Sequence, residues 1–210
     1  MKKTISELLD PACSAILVVD VQNDFCHPDG SAGQAGADTG PAMAMIPRLQ
    51  ALLDAARVVG TKIVFIQTIH TPETDSEVWI GRHDVPRLNC RKDTWGAELT
   101  EIGPVGPGEV IVIKHRYSGF VNTRLDSILR TWKISNVLVL GVTTNVCVES
   151  TARQAFMLDY NVVFVGDCSA AYSASAHEAT LENMRRHFGT VMNHDEIVAH
   201  WQRLPITVNA

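Results

Sequence analysis

Three side chains suited to covalent and proton-transfer chemistry, Asp20, Lys114 and Cys147, each fall at or just past the end of a short apolar run. A cysteine attacks as its thiolate, a carboxylate takes up and returns protons, and an ammonium beside both favours the two anions by short-range attraction. Cys147 follows the run Val137-Leu138-Val139-Leu140, which breaks at Gly141, with Thr144 placed as the N-cap of the helix that comes next. In the first turn of that helix the unpaired N–H groups and the positive end of the dipole favour an anion, so the spacing predicts a thiolate at neutral pH for Cys147 and not for the other cysteines. Backbone N–H groups near Thr143 and Cys147 are placed to hold an oxyanion. Taken together this is the equipment for acyl transfer to cysteine. Singly, each residue has a plainer reading: a turn carboxylate, a solvated charge and a core thiol. All three plain readings would have to coincide at strand ends.

The elements that position these residues alternate. Ala15–Asp20, Lys62–Gln67, Glu109–Lys114, Val137–Leu140 and Asn161–Asp167 read as buried strands. A polar, Gly-rich loop is expected from Gln22 to about Gly40, then a helix carrying Met45, Ile46, Leu49, Leu52, Leu53 and Ala56 that stops at Gly60. The stretch from about Thr68 to Gly108 shows no clear periodicity, and a segment that long usually covers or lines a site. Leu125, Ile128, Leu129 and Trp132 mark the next helix. Val148, Ala152, Ala155 and Phe156 mark the inner face of the helix after Cys147. Ser175 and Glu178 read as a capping box for a helix with Leu181, Met184 and Phe188 inward; Gly189 ends it, Thr190–Met192 suits an edge strand, and a last helix spans about Asp195 to Trp201. Alternation of this kind implies right-handed crossovers and a three-layer α/β/α, Rossmann-like fold with a mainly parallel sheet of roughly six strands. Ligands in such sheets sit beyond the carboxyl ends of the strands, where Asp20, Lys114 and Cys147 are delivered.

Composition narrows the class. At 210 residues, with no repeat or composition break, the chain reads as one domain over 1–210. A formal net charge of −5 without a basic run argues against a nucleic-acid or anionic-membrane partner. No apolar run approaches membrane length, and the start, Met1-Lys2-Lys3-Thr4-Ile5-Ser6-Glu7, lacks a signal peptide's apolar centre. The cysteines number five, an odd count without CxxC or zinc-finger spacing, which suits reduced thiols and a cytoplasmic location.

Asp20-Val21-Gln22-Asn23-Asp24-Phe25, Lys114-His115-Arg116-Tyr117-Ser118-Gly119-Phe120 and Gly141-Val142-Thr143-Thr144-Asn145-Val146-Cys147-Val148-Glu149-Ser150-Thr151 together resemble the isochorismatase-like cysteine hydrolase superfamily, in order and spacing across almost the whole chain. That superfamily includes nicotinamidases, N-carbamoylsarcosine amidase, ureidoacrylate amidohydrolase and biuret hydrolase. The resemblance implies Asp20 as proton-transfer carboxylate, Lys114 as electrostatic partner and Cys147 as nucleophile. It further implies a cis peptide at Val142–Thr143, an oxyanion hole from the amides of Thr143 and Cys147, and a dimer or tetramer. Cys147 argues against isochorismatase activity itself. The nicotinamidase metal pair is Asp-x-His, whereas Thr68-Ile69-His70 stands here; with His83 alone to add, no metal and no cofactor are expected. The stretch from Arg116 to Arg130 looks most like the ureidoacrylate and biuret branch. The implied reaction is therefore hydrolysis of a small amide or ureido substrate, with nicotinamidase-like amidase activity or an idle binding module as alternatives. Tyr117, Phe25, Gln67, His70, Trp79 and Trp95 are the expected pocket walls.

Overall fold

A computed structural model describes residues 3–82, 88–102 and 105–204. The central strand β1 (Ser14–Val19) is buried at every position because it is paired on both edges and covered on both faces. Its alternate residues feed two cores, as the period of a strand requires. Ile16 and Val18 join Met45, Leu49 and Leu53 of helix α1 (Gly40–Val59), whereas Leu17 and Val19 join Leu125, Leu129, Val148 and Ala152 on the other face. Gly60, in the left-handed region at φ 78°, ends α1 as its position suggests.

Strands β2 (Lys62–Thr68), β3 (Val110–Lys114), β4 (Asn136–Val142), β5 (Asn161–Ala170) and β6 (Gly189–Met192) complete a six-stranded sheet in the order β3-β2-β1-β4-β5-β6. Every strand pairing is parallel. Helices α2 (Leu125–Thr131), α3 (Glu149–Met157), α4 (Ala174–Asn183) and α5 (His194–Trp201) make the covering layers with α1. The chain moves outward from β1 to β3, returns to lay β4 against β1, and then moves outward the other way. Between β1 and β4 the direction reverses, and this reversal opens a crevice at the carboxyl ends of the strands.

The structure corrects several local expectations. The Gln22–Gly40 loop holds two single-turn helices, Asn23–Cys26 and Ser31–Gln34, joined where Asp24 Oδ1 accepts the Ser31 N–H at 2.9 Å. One turn is too short to leave a periodic signal. Strand β4 continues through Gly141 to Val142, because a Cβ at Gly141 would lie 2.1 Å from the Val19 carbonyl oxygen and only glycine permits that approach. Strand β5 runs on to Ala170 through an irregularity opposite Leu140, where Val139 pairs Phe164 but Gly141 pairs Ser169. The cap of α4 is Ser173, whose Oγ accepts the Ala176 N–H, not Ser175. Phe156 is 47% exposed and packs edge-on against Phe188 at 5.5 Å, outside the core.

Candidate active site

Asp20 is the first residue past β1, its backbone turned left-handed at φ 52°. Lys114 ends β3, two strands away, and the end of β2 lies between them. Thr68, the last residue of β2, is in register with Lys114 and fills that gap. Its hydroxyl accepts a hydrogen bond from Lys114 Nζ at 2.7 Å and donates to Asp20 Oδ1 at 2.9 Å, while its N–H donates to the same oxygen at 3.1 Å. Gln22 clamps Thr68 from the other side: its Oε1 accepts the Thr68 N–H at 2.8 Å, and its Nε2 donates to the carbonyls of Thr68 at 2.9 Å and Ala97 at 2.7 Å. Thr68 and Gln22 were missed as site residues from the sequence; the register of β2 against β3 was the signal that could have found Thr68.

The pair at the centre is dry. Lys114 is 1% exposed and Asp20 fully buried, with Nζ 2.7 Å from Oδ2. Nζ also donates to the Arg116 carbonyl at 3.1 Å, so it makes two hydrogen bonds beside the ion pair. Burial works against that charge, but Asp20 together with the neighbouring sulfurs outweighs it and the lysine is held above its ordinary range. Lys114 is therefore an ammonium at neutral pH, without the lone pair a base needs. Oδ2 of Asp20 touches Nζ as an ion pair only and receives no well-angled hydrogen bond from any described residue.

Cys147 lies in a widened, π-type turn, Thr144–Val148, that leads into α3. The expected thiolate is overturned. Burial pushes the Cys147 thiol up; the Lys114 charge opposes that rise without cancelling it, and the Asp20 charge adds to it. The first-turn position does not offset the loss of water, so the resting side chain is a thiol. Thr144 is not the cap either. Thr143 holds that place in extended conformation with no side-chain cap, and the Thr144 hydroxyl pairs with His177 Nδ1 at 2.9 Å.

The Val142–Thr143 peptide is cis. The Thr143 carbonyl accepts the N–H groups of Val146 at 3.1 Å and Val148 at 3.3 Å, fixing the turn around the thiol. Among the described residues, the Thr143 N–H donates to no backbone or side-chain acceptor, and the Cys147 N–H to none outside the turn. Thr151 ties the turn to the loop after β3, donating to the Cys147 carbonyl at 2.7 Å and accepting the Gly119 N–H at 3.0 Å.

A cleft of about 720 Å³ opens over Cys147, Thr143, Lys114 and Thr68. Phe25, His70, Trp79 and Tyr117 line it, as do Arg82, Asn89, Arg116 and Tyr172, which sequence reasoning did not single out. Gln67 and Trp95 do not line it. Gln67 precedes Thr68 on a strand whose successive side chains face opposite ways, and Trp95 packs edge-on against His27 at 5.2 Å, 48% exposed. Burial pushes the His70 imidazole down to about 4, so it is neutral. His83 lies outside the described residues. At the position where the nicotinamidase pattern has a carboxylate, the Thr68 hydroxyl is committed to Asp20 and Lys114. The one cluster of possible metal ligands among the described residues, Asp167, Cys168 and His194, lines no part of the cleft.

The Isochorismatase domain family model matches residues 14–196. The chain is 33% identical over 199 residues to the ureidoacrylate amidohydrolase RutB of Agrobacterium fabrum, covering 87% of each chain. Its structure is similar to a cysteine hydrolase from Pseudomonas syringae pv. phaseolicola, with a TM-score of 0.84, 26% identity and coverage of 96% of this chain and 98% of that one. N-carbamoylsarcosine amidase from Thermoplasma acidophilum gives a TM-score of 0.73 at 28% identity, covering 87% of this chain and 97% of its own.

Proposed function

The chain belongs to the isochorismatase family of hydrolases, and from that premise we propose that it cleaves the C–N bond of a small amide or ureido compound through an acyl group held on Cys147. The observation that carries this reading is the buried Asp20–Thr68–Lys114 network beside a thiol that lines a cleft. Similarity to ureidoacrylate amidohydrolase and N-carbamoylsarcosine amidase supports a ureido substrate.

In the proposed sequence, Asp20 takes the thiol proton as sulfur attacks the carbonyl carbon. Lys114, paired with Asp20, stabilises the developing charge, and the Thr143 and Cys147 N–H groups receive the oxyanion. Collapse of the adduct breaks the C–N bond, and Asp20 returns its proton to the leaving nitrogen. Asp20 next takes a proton from water as its oxygen adds to the acyl carbon. Expulsion of the thiolate, which recovers that proton, closes the cycle.

No step uses a metal. Ammonia release should be measured with biuret, ureido acids, N-carbamoyl amino acids and nicotinamide, before and after chelation and desalting. Turnover of a ureido compound that survives chelation is expected; turnover confined to nicotinamide, or restored only by zinc or iron, would overturn the reading. The same reading makes the protein a cytoplasmic homo-oligomer, dimer or tetramer. In its support, all five cysteines are free, no described helix is long and apolar enough to cross a membrane, and α3 exposes Phe156 and Met157. A monomer in light scattering would contradict the oligomer.

A further inference from the structure

Thr144 directly follows the cis peptide and opens the turn that carries Cys147. It is fully buried, and its two oxygens have separate duties. Its carbonyl accepts the Glu149 N–H and so closes the widened turn. Its hydroxyl meets His177 Nδ1 at 2.9 Å and no other partner among the described residues. A buried hydroxyl left without a partner is costly, so this one contact decides where the side chain, and the backbone bearing it, can lie.

His177 stands on α4, one helical turn ahead of Thr180 and Leu181, a spacing that puts the three on one face; Thr180 and Leu181 are buried. Thr180 Oγ1 donates to Glu149 Oε2 at 2.8 Å, and Asn183 Nδ2 donates to Glu149 Oε1 at 3.1 Å. The same helix therefore grips the nucleophile turn at both ends, at Thr144 through His177 and at Glu149 through Thr180 and Asn183. The grip at Glu149 is shared with Arg153, whereas the grip on the Thr144 side chain rests on a single imidazole nitrogen. His177 is half-buried and does not line the cleft, although Tyr172, Ser173 and Ala176 just ahead of it do. Its route to the reacting atoms runs through Thr144. Displacing Thr144 shifts its neighbour Thr143 and, three residues on, Cys147. A nucleophile and its oxyanion donors must be held to within about 0.5 Å to meet one carbonyl.

We propose that His177 is a positioning residue: through the Thr144 hydroxyl it fixes the turn that aims the Cys147 sulfur and the Thr143 and Cys147 N–H groups at one carbonyl. This deepens the hydrolase reading above and rests on it for the identity of the nucleophile.

Acetylation by p-nitrophenyl acetate tests the aim without assuming a physiological substrate. The sulfur bonds the acetyl carbon, the C–O bond to p-nitrophenolate breaks, and Asp20 takes the thiol proton. The rate is read as the p-nitrophenolate burst, and the acetyl group is located on Cys147 by peptide mapping. His177→Leu keeps the bulk and removes the nitrogen; it should slow the burst roughly 10- to 100-fold, with the ester concentration for half-maximal rate nearly unchanged. His177→Asn should restore most of the rate, because its amide puts a polar atom where Nδ1 lies. Thr144→Val should match His177→Leu, and the double variant should be no slower than either alone, as two residues acting as one unit require. If His177→Leu does not fold, Thr144→Val against Thr144→Ser carries the same test, with valine slow and serine near wild type. A burst unchanged in His177→Leu or Thr144→Val, an asparagine variant no faster than the leucine one, or losses that multiply in the double variant would overturn the role. The expected burst pattern with no ureido or amide compound turned over retains the positioning role and sinks the hydrolase reading instead.

Discussion

The Thr68 hydroxyl stands between Lys114 and Asp20, accepting from the ammonium at 2.7 Å and donating to the carboxylate at 2.9 Å. A single neutral group thereby bonds both members of a buried ion pair that are themselves 2.7 Å apart. Thr68→Val keeps the shape and removes the hydroxyl, leaving Asp20 Oδ1 with only the backbone N–H. Hydrogen bonds to charged groups contribute about 1.5–3 kcal/mol, so kcat should fall roughly 10- to 100-fold while the fold survives. Thr68→Ser should recover most of the loss. Unchanged kcat in the valine variant would show that the hydroxyl does not position the pair.

The protonated state of Cys147 sets a second expectation. Burial pushes its pKa up, so its alkylation by iodoacetamide should keep accelerating as pH rises above neutral, with no plateau below pH 7. Cys26 and Cys90 are buried and also pushed up, Cys26 to about 12, and should stay unlabelled until the protein unfolds. A Cys147 rate that is already maximal below pH 7 would restore the thiolate.

His70 should make the protein sensitive to acid. Its native pKa is lowered from 6.5 to about 4 by burial, so between those values the unfolded chain binds the extra proton. Stability is then present above pH 6.5 and lost as pH falls towards 4. His70→Phe removes this linkage. The melting temperature of the phenylalanine variant relative to wild type should rise as pH drops through that window. Parallel acid curves for the two proteins would place the His70 titration elsewhere.

Much of this arrangement was legible in the sequence because it depends on where strands stop. Asp20, Lys114 and Cys147 each fall at or just past the end of an apolar run, and a parallel sheet brings such ends to one edge. Thr68 was read as a missing carboxylate. Its bridging role depends on the register of β2 against β3, which no local pattern encodes. Arg82 was passed over for a related reason: it lies in an aperiodic stretch and gains meaning only when Trp79 and Tyr117 meet it from different segments. The thiolate expectation failed because helix position can be read from spacing, whereas burial of the sulfur cannot. Ser175 and Thr144 were plausible caps by residue type, but the backbone turns one or two residues earlier, at Thr143 and Ser173.

The central claim is that the carbonyl group of the substrate is transferred to Cys147 with Asp20 carrying the proton. The most direct measurement is intact-mass and peptide-map analysis of enzyme mixed with a ureido acid and quenched in acid within milliseconds. An adduct equal in mass to the substrate's acyl fragment should sit on Cys147. Cys147→Ala should show neither adduct nor turnover, and Asp20→Asn should lose turnover by several orders of magnitude. Hydrolysis that persists in Cys147→Ala, or an adduct carried by any other residue, would contradict the account.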